Sequence, residues 1–156
     1  MIKIFIALAA IVLTAGSSRA AEPVVSPEAA VMKVVDQFLD GFAKGDTKMI
    51  MATIAPEMAI LDEFPPHAWH GAGAFAQWMS DYDTSAAKHG LTNGSVSAGK
   101  PSHIDVTDDD AYVTFKANYS FKRRGKLEEE IGSTVIVALH KGADGWRLTG
   151  WAWAKR

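Results

Sequence analysis

The chain contains no cysteine. Disulfides, a thiolate nucleophile and a lipid-modified cysteine are thereby excluded. It also lacks a glycine-rich phosphate loop and the Gly-x-Ser-x-Gly turn that exposes a hydrolase serine. Nucleotide cofactors and covalent hydrolase chemistry are not expected. A positive surplus is missing too, since 16 Lys and Arg stand against 18 Asp and Glu. Nucleic acid is therefore not an expected partner. One basic cluster, Lys122-Arg123-Arg124 with Lys126, faces Glu128-Glu129-Glu130 across a turn, which reads as surface complementarity across a hairpin. There is no internal repeat or low-complexity stretch.

The apolar run Ile4–Ala15 is short of the roughly 20 residues a membrane span needs. Lys3 precedes it, and Ser18-Arg19-Ala20 follows with small residues at the −3 and −1 positions of a cleavage site. This is the pattern of a secretory signal peptide. The expectation is cleavage after Ala20, a single domain over residues 21–156, and a periplasmic or secreted product without a stable membrane anchor. With Lys3 and Arg19 removed, 14 basic residues face 18 acidic ones, for a net charge of −4.

Three helices are expected next. Ser26-Pro27-Glu28 offers a capping hydroxyl, a first-turn proline and an acid at the positive end of the dipole. Val31, Val34, Val35, Phe38, Leu39 and Phe42 then form one helical stripe. Gly45 closes this helix and Asp46 caps a second, over about Thr47–Ile54, which Pro56 ends. A short strand, Met58–Leu61, leads into Leu61-Asp62-Glu63-Phe64-Pro65-Pro66-His67-Ala68-Trp69-His70-Gly71. The two prolines forbid the strand to continue. A third helix, about Ala72–Lys88, presents Phe75, Trp78, Met79 and Tyr82 on one face, and Gly90 stops it.

Beyond Gly90 the period changes from 3.6 to 2. Ser97–Val106, Ala111–Lys122, Leu127–His140 and Trp146–Lys155 read as an antiparallel meander, with a hairpin at Arg124-Gly125. On strict alternation, Trp151 and Trp153 share a face opposite Leu148, Gly150 and Ala152. There they line either the interior or, as exposed-edge residues, a homodimer interface. The fold class is α+β, with three N-terminal helices on the concave face of a curved, mainly antiparallel sheet that encloses a cone.

This order of elements, with Leu61–Gly71 and Gly145-Trp146-Arg147-Leu148-Thr149-Gly150-Trp151-Ala152-Trp153, resembles the nuclear transport factor 2-like superfamily. It looks closest to the SnoaL-like bacterial members, over nearly all of the mature chain. The resemblance implies the cone-shaped fold and a pocket. It leaves open isomerases, cyclases, dehydratases and binding domains. Asp62 matches the aspartate base of ketosteroid isomerases. The tyrosine that binds their oxyanion falls at Phe38, and their second, protonated aspartate near Thr134. Loss of one such donor typically costs about 10²–10³ in rate, so steroid isomerisation is not expected.

Asp62 is thus the expected base, with His67 or Tyr119 assisting; the alternative for Asp62 is a carboxylate that only ties down the Pro-Pro bend. Phe38, Phe42, Trp69, Trp78, Tyr82 and Phe115 read either as plain core or as the aromatic wall for a compact, largely apolar ligand. His67, His70 and Asp62 could hold zinc in principle, but no third histidine is near in sequence and no metal or cofactor is expected. Glu63, His89, His103, His140 and Asp108-Asp109-Asp110 are expected at the surface.

Overall fold

The computed structural model describes residues 25–156. The signal-peptide reading falls outside the described residues. Helix α1 spans Pro27–Lys44. The Ser26 hydroxyl accepts the Ala29 N–H at 3.2 Å, and Gly45 ends the helix in the left-handed conformation at φ 63°. Val31, Val35 and Phe38 are buried along one stripe. Asp46 caps α2 by accepting the Met49 N–H at 2.9 Å.

Helix α2 is shorter than its sequence suggested, Thr47–Met51. Thr53 Oγ1 donates back to the Ile50 carbonyl at 2.7 Å, and the Thr53 carbonyl accepts from Leu148 N–H at 2.9 Å. The chain therefore enters the sheet at once, and strand β1 is Ile54–Leu61. Pro56 lies inside β1 rather than ending a helix. It falls in the stretch between Ile54 and Ala59 where the register against the next strand slips, so its missing N–H leaves no ladder bond unmade.

A strand that periodicity did not show, β2, occupies Ala68–Ala72 and pairs antiparallel with β1, Ile60 opposite Trp69. Helix α3 consequently begins two residues later than expected, at Ala74, and runs to His89. Phe75 and Trp78 are buried, and Met79 and Tyr82 partly so. The remaining strands are β3 (Leu91–Thr107), β4 (Asp110–Arg123), β5 (Lys126–Gly142) and β6 (Gly145–Ala154). Their order in the sheet is β2-β1-β6-β5-β4-β3, antiparallel except where β1 meets β6. Val113 and Phe115 on β4, Val135, Val137 and Leu139 on β5, and Leu148 on β6 form the core between sheet and helices.

Two bulges set which side chains face inward. In β6, Leu148 pairs with Leu139 and Gly150 with Ala138, so Thr149 is an extra residue. Trp151 and Trp153, opposite Val137 and Val135, therefore share the inner face with Leu148 instead of opposing it. Trp151 is 9% exposed, and β6 lies mid-sheet. The argument for a homodimer from exposed-edge tryptophans thus falls away. In β5, Ala117 pairs with Ser133 but Tyr119 with Glu130. The extra residue, with Gly132 at φ 79°, turns Glu130 inward and pushes Ile131 out to 60% exposure. Of the acids expected to face the basic cluster, Glu128 does so, with its Oε2 2.9 Å from Arg123 Nε.

Candidate functional site

Helices α1 and α3 and the inner face of the sheet leave a cavity of about 260 Å³. Its helix side comes from the stripes of α1 (Phe38, Leu39, Phe42) and α3 (Trp78, Met79, Tyr82). Its sheet side comes from Val135, Trp151, Trp153, Tyr119 and the β3 segment Gly94-Ser95-Val96. The turn after β1 supplies Asp62, Glu63 and Phe64. Exposed Gly45, Thr47 and Ser95 mark its mouth.

The rings touch in several orientations. Phe38 meets Phe42 edge-on at 4.9 Å between centroids, and Trp78 stacks on Tyr82 at 5.6 Å. Trp78 also meets Trp151 edge-on at 5.0 Å. Such pairs contribute about 0.5–1.5 kcal/mol each beyond their burial. They hold one another in place, so the aromatic part of the wall is fixed, with Leu39, Ile50, Met79, Val96 and Val135 completing it.

Asp62 projects into this apolar setting from the end of β1. The proline turn that positions it closes through Asp62 N–H to the His67 carbonyl at 3.1 Å and His67 N–H to the Phe64 carbonyl at 2.9 Å. The Asp62 carboxylate accepts the Trp78 indole N–H at 2.9 Å and the Glu63 backbone N–H at 2.7 Å. Burial raises its pKa from 3.8 to about 6, the two hydrogen bonds opposing and the charges of Glu63 and Glu130 adding to the rise. It is therefore ionised at neutral pH and accepts a proton more readily than an exposed aspartate.

Tyr119 and Tyr82 share a hydrogen bond of 2.6 Å between their hydroxyls. Burial, then that bond, pushes the Tyr119 hydroxyl far above its ordinary range, so it stays protonated. Two hydroxyls joined by one hydrogen bond leave one proton free to donate. The pair fits only because β3 has glycine beneath it: a Cβ on Gly94 would lie 2.6 Å from the Tyr82 oxygen and 2.8 Å from that of Tyr119.

At the rim, Glu130 accepts from Trp153 Nε1 at 2.8 Å and from the Ser133 hydroxyl. Lys155 lies 2.8 Å from both Glu130 and Glu63. Burial alone would raise Glu130, but the bonds from Lys155, Ser133 and Trp153 outweigh it and hold the carboxyl below its ordinary range. Hydrogen bonds from Lys155 to Glu130 and Glu63 raise the lysine.

Of the residues singled out in the sequence, Asp62, Tyr119, Phe38, Phe42, Trp78 and Tyr82 converge on the cavity. Three stand apart from it. His67 is exposed at φ 74°, its Nδ1 3.2 Å from the Asp62 carbonyl oxygen. Trp69 is buried behind the wall, its indole donating to Asp81 at 2.8 Å, and Phe115 lies in the core at 1% exposure. Glu63, expected at the surface, is exposed yet reaches the rim through Lys155. Sequence reasoning missed Phe64, Leu39, Glu130 and the hydrogen bond from Trp153 to Glu130. The helical stripe already contained Leu39; the other three depend on the turn and the bulges.

Among the described residues, no group of three or more His, Cys, Asp or Glu side chains could hold a metal ion. None of their helices is long and apolar enough to cross a membrane.

The cone of sheet and helices, hollow and acid-bearing, defines an α+β protein with an internal cavity, and its architecture is the NTF2-like fold. An NTF2-like superfamily protein from Salmonella enterica serovar Typhimurium superposes with a TM-score of 0.64 at 15% identity, over 80% of this chain and 87% of that one. A ketosteroid isomerase-like protein from Erwinia carotovora atroseptica gives 0.64 at 16% identity, over 82% and 95%. An NTF2-like protein with a cystatin-like fold from Novosphingobium aromaticivorans gives 0.62 at 12% identity, over 81% and 79%. No protein-family model and no curated protein matches the sequence.

Proposed function

We propose that this is an exported small-molecule pocket protein that binds a compact, largely apolar ligand in the cone. On this reading Asp62 is a general base for cofactor-free isomerisation, cyclisation or dehydration. The carrying observation is a half-buried carboxylate, with a pKa of about 6, in a cavity walled mainly by aromatic and aliphatic side chains. In its ionised form Asp62 removes a proton from the ligand; the Trp78 and Glu63 N–H groups hold the carboxylate in position. The free hydroxyl proton of the Tyr82–Tyr119 pair donates to a ligand oxygen. His67 acts only on the turn, through the Asp62 carbonyl.

A second reading, a binding module without chemistry, is favoured by one detail. Both carboxylate oxygens of Asp62 already accept a hydrogen bond, and Phe38 offers no hydroxyl across the cavity. Native mass spectrometry of the secreted protein tests both readings and the export reading together. The expected result is a chain starting at Ala21 with a co-purified small molecule. Asp62→Asn should abolish turnover of that molecule. Turnover unchanged in the variant removes Asp62 as the base, and a mass that includes Met1 removes export.

A further inference from the structure

The cavity lining includes two carboxylates, Asp62 and Glu63, and no lysine, arginine or histidine. Lys155, at the rim, is occupied by Glu63 and Glu130, 2.8 Å from each. Asp62 has no ion-pair partner among the described residues; its two hydrogen bonds come from neutral N–H groups. A half-buried carboxylate ordinarily gains a cation or changes its protonation. Here the missing partner faces a space large enough for a small molecule.

The surrounding rings strengthen the case. Phe42, Phe64, Trp78, Tyr82, Tyr119 and Trp151 come from α1, the β1–β2 turn, α3, β4 and β6. Their faces and edges meet at varied angles, from 21° between Trp78 and Tyr82 to 83° between Phe42 and Trp78. Rings that enclose a space from several sides suit a cation with bulky alkyl groups, which each face attracts through its quadrupole.

We infer that the ligand is an organic cation of the tertiary or quaternary ammonium class, its charge set against Asp62 and its alkyl groups against the rings. This rests on the reading that the cavity binds small molecules and names the class it selects. Anions are rejected by Asp62 and Glu63, and neutral isosteres lose the charge pairing.

Three probes of nearly equal shape test it: choline, 3,3-dimethylbutan-1-ol and 3,3-dimethylbutanoate, titrated calorimetrically at pH 7.5. Choline is expected to bind at least tenfold tighter than the neutral alcohol, and the carboxylate not measurably. At pH 5 the choline affinity should fall several-fold while that of the alcohol holds. The titratable and charged groups around Asp62 are Glu63 on its own turn, Glu130 on β5, the neutral Tyr119 hydroxyl on β4 and Lys155 just after β6. Glu63→Gln and His67→Asn variants, which keep Asp62, should leave the pH dependence of choline binding in place. Asp62→Asn should erase the preference for choline and keep alcohol binding; the pH comparison on the unaltered protein serves if that variant folds poorly. An alcohol that binds as tightly as choline overturns the inference and leaves the cavity reading standing. Binding of none of the three, with no co-purified molecule, overturns both.

Discussion

Asp62 and Glu130 are both carboxylates turned toward the interior, and they lie on opposite sides of their ordinary acidity. The proline turn delivers Asp62 to a wall of rings, where its partners are two neutral N–H groups and burial prevails. The β5 bulge delivers Glu130 to a rim where Lys155, Ser133 and Trp153 all donate to it, and burial loses. The same side chain therefore titrates above or below its ordinary range according to the donors around it. Two neutral N–H groups face Asp62, whereas a lysine, a hydroxyl and an indole face Glu130.

The sharpest way to break this contrast is the dependence of stability on pH. Asp62 is raised in the folded state, from 3.8 to about 6. Folding is then favoured while Asp62 is protonated, and that contribution is lost as pH rises through the window between those values. At about 1.4 kcal/mol per pH unit, the loss approaches 3 kcal/mol. Asp62→Asn should therefore gain by about that amount relative to the parent between pH 4 and pH 7 in urea unfolding. Glu130 is lowered, so its contribution is present above its unfolded pKa and fades as pH falls. Glu130→Gln should accordingly lose ground as pH rises. Differences of the same sign for the two variants would contradict the contrast.

A smaller effect is expected from Gly132→Ala. The glycine sits at φ 79°, where a Cβ costs roughly 1–2 kcal/mol. The variant should lose about that much, and NMR titration should show Glu130 moving back up toward an ordinary carboxylate as the bulge relaxes. Ile131→Thr bounds the series from below. Its side chain is 60% exposed, so the change should stay within about 0.5 kcal/mol, since the bulge and not the isoleucine places Glu130.

The helix side of the cavity was legible in the sequence because α1 and α3 keep an unbroken 3.6-residue period. Phe38, Phe42, Trp78 and Tyr82 fall on the buried stripes for that reason alone. Asp62 was legible because two prolines cannot continue β1. On the sheet side the alternation of β4 placed Tyr119, but the phase of β5 and β6 was not legible. A bulge advances the phase by one residue, so alternation put Trp151 opposite Leu148 and left Glu130 among surface acids. Strand β2 escaped because its five residues include a histidine and a glycine, and its pairing with β1 overrides their weak strand preference. For Phe115 and Trp69 the sequence leaves core and wall open, because an aromatic on an inward face looks the same in sequence whether it borders a space or fills one.

The parallel contact between β1 and β6 joins the first strand of the sheet to the last one described. On the ribosome, every other element can emerge while the centre of the sheet still has a gap. Trp151, Trp153 and Lys155 arrive together with the strand that fills it. Until then the nascent chain exposes two flanking strand edges that only its own late segment should pair, which makes delayed synthesis or truncation within β6 a route to aggregation rather than to a weakened binder.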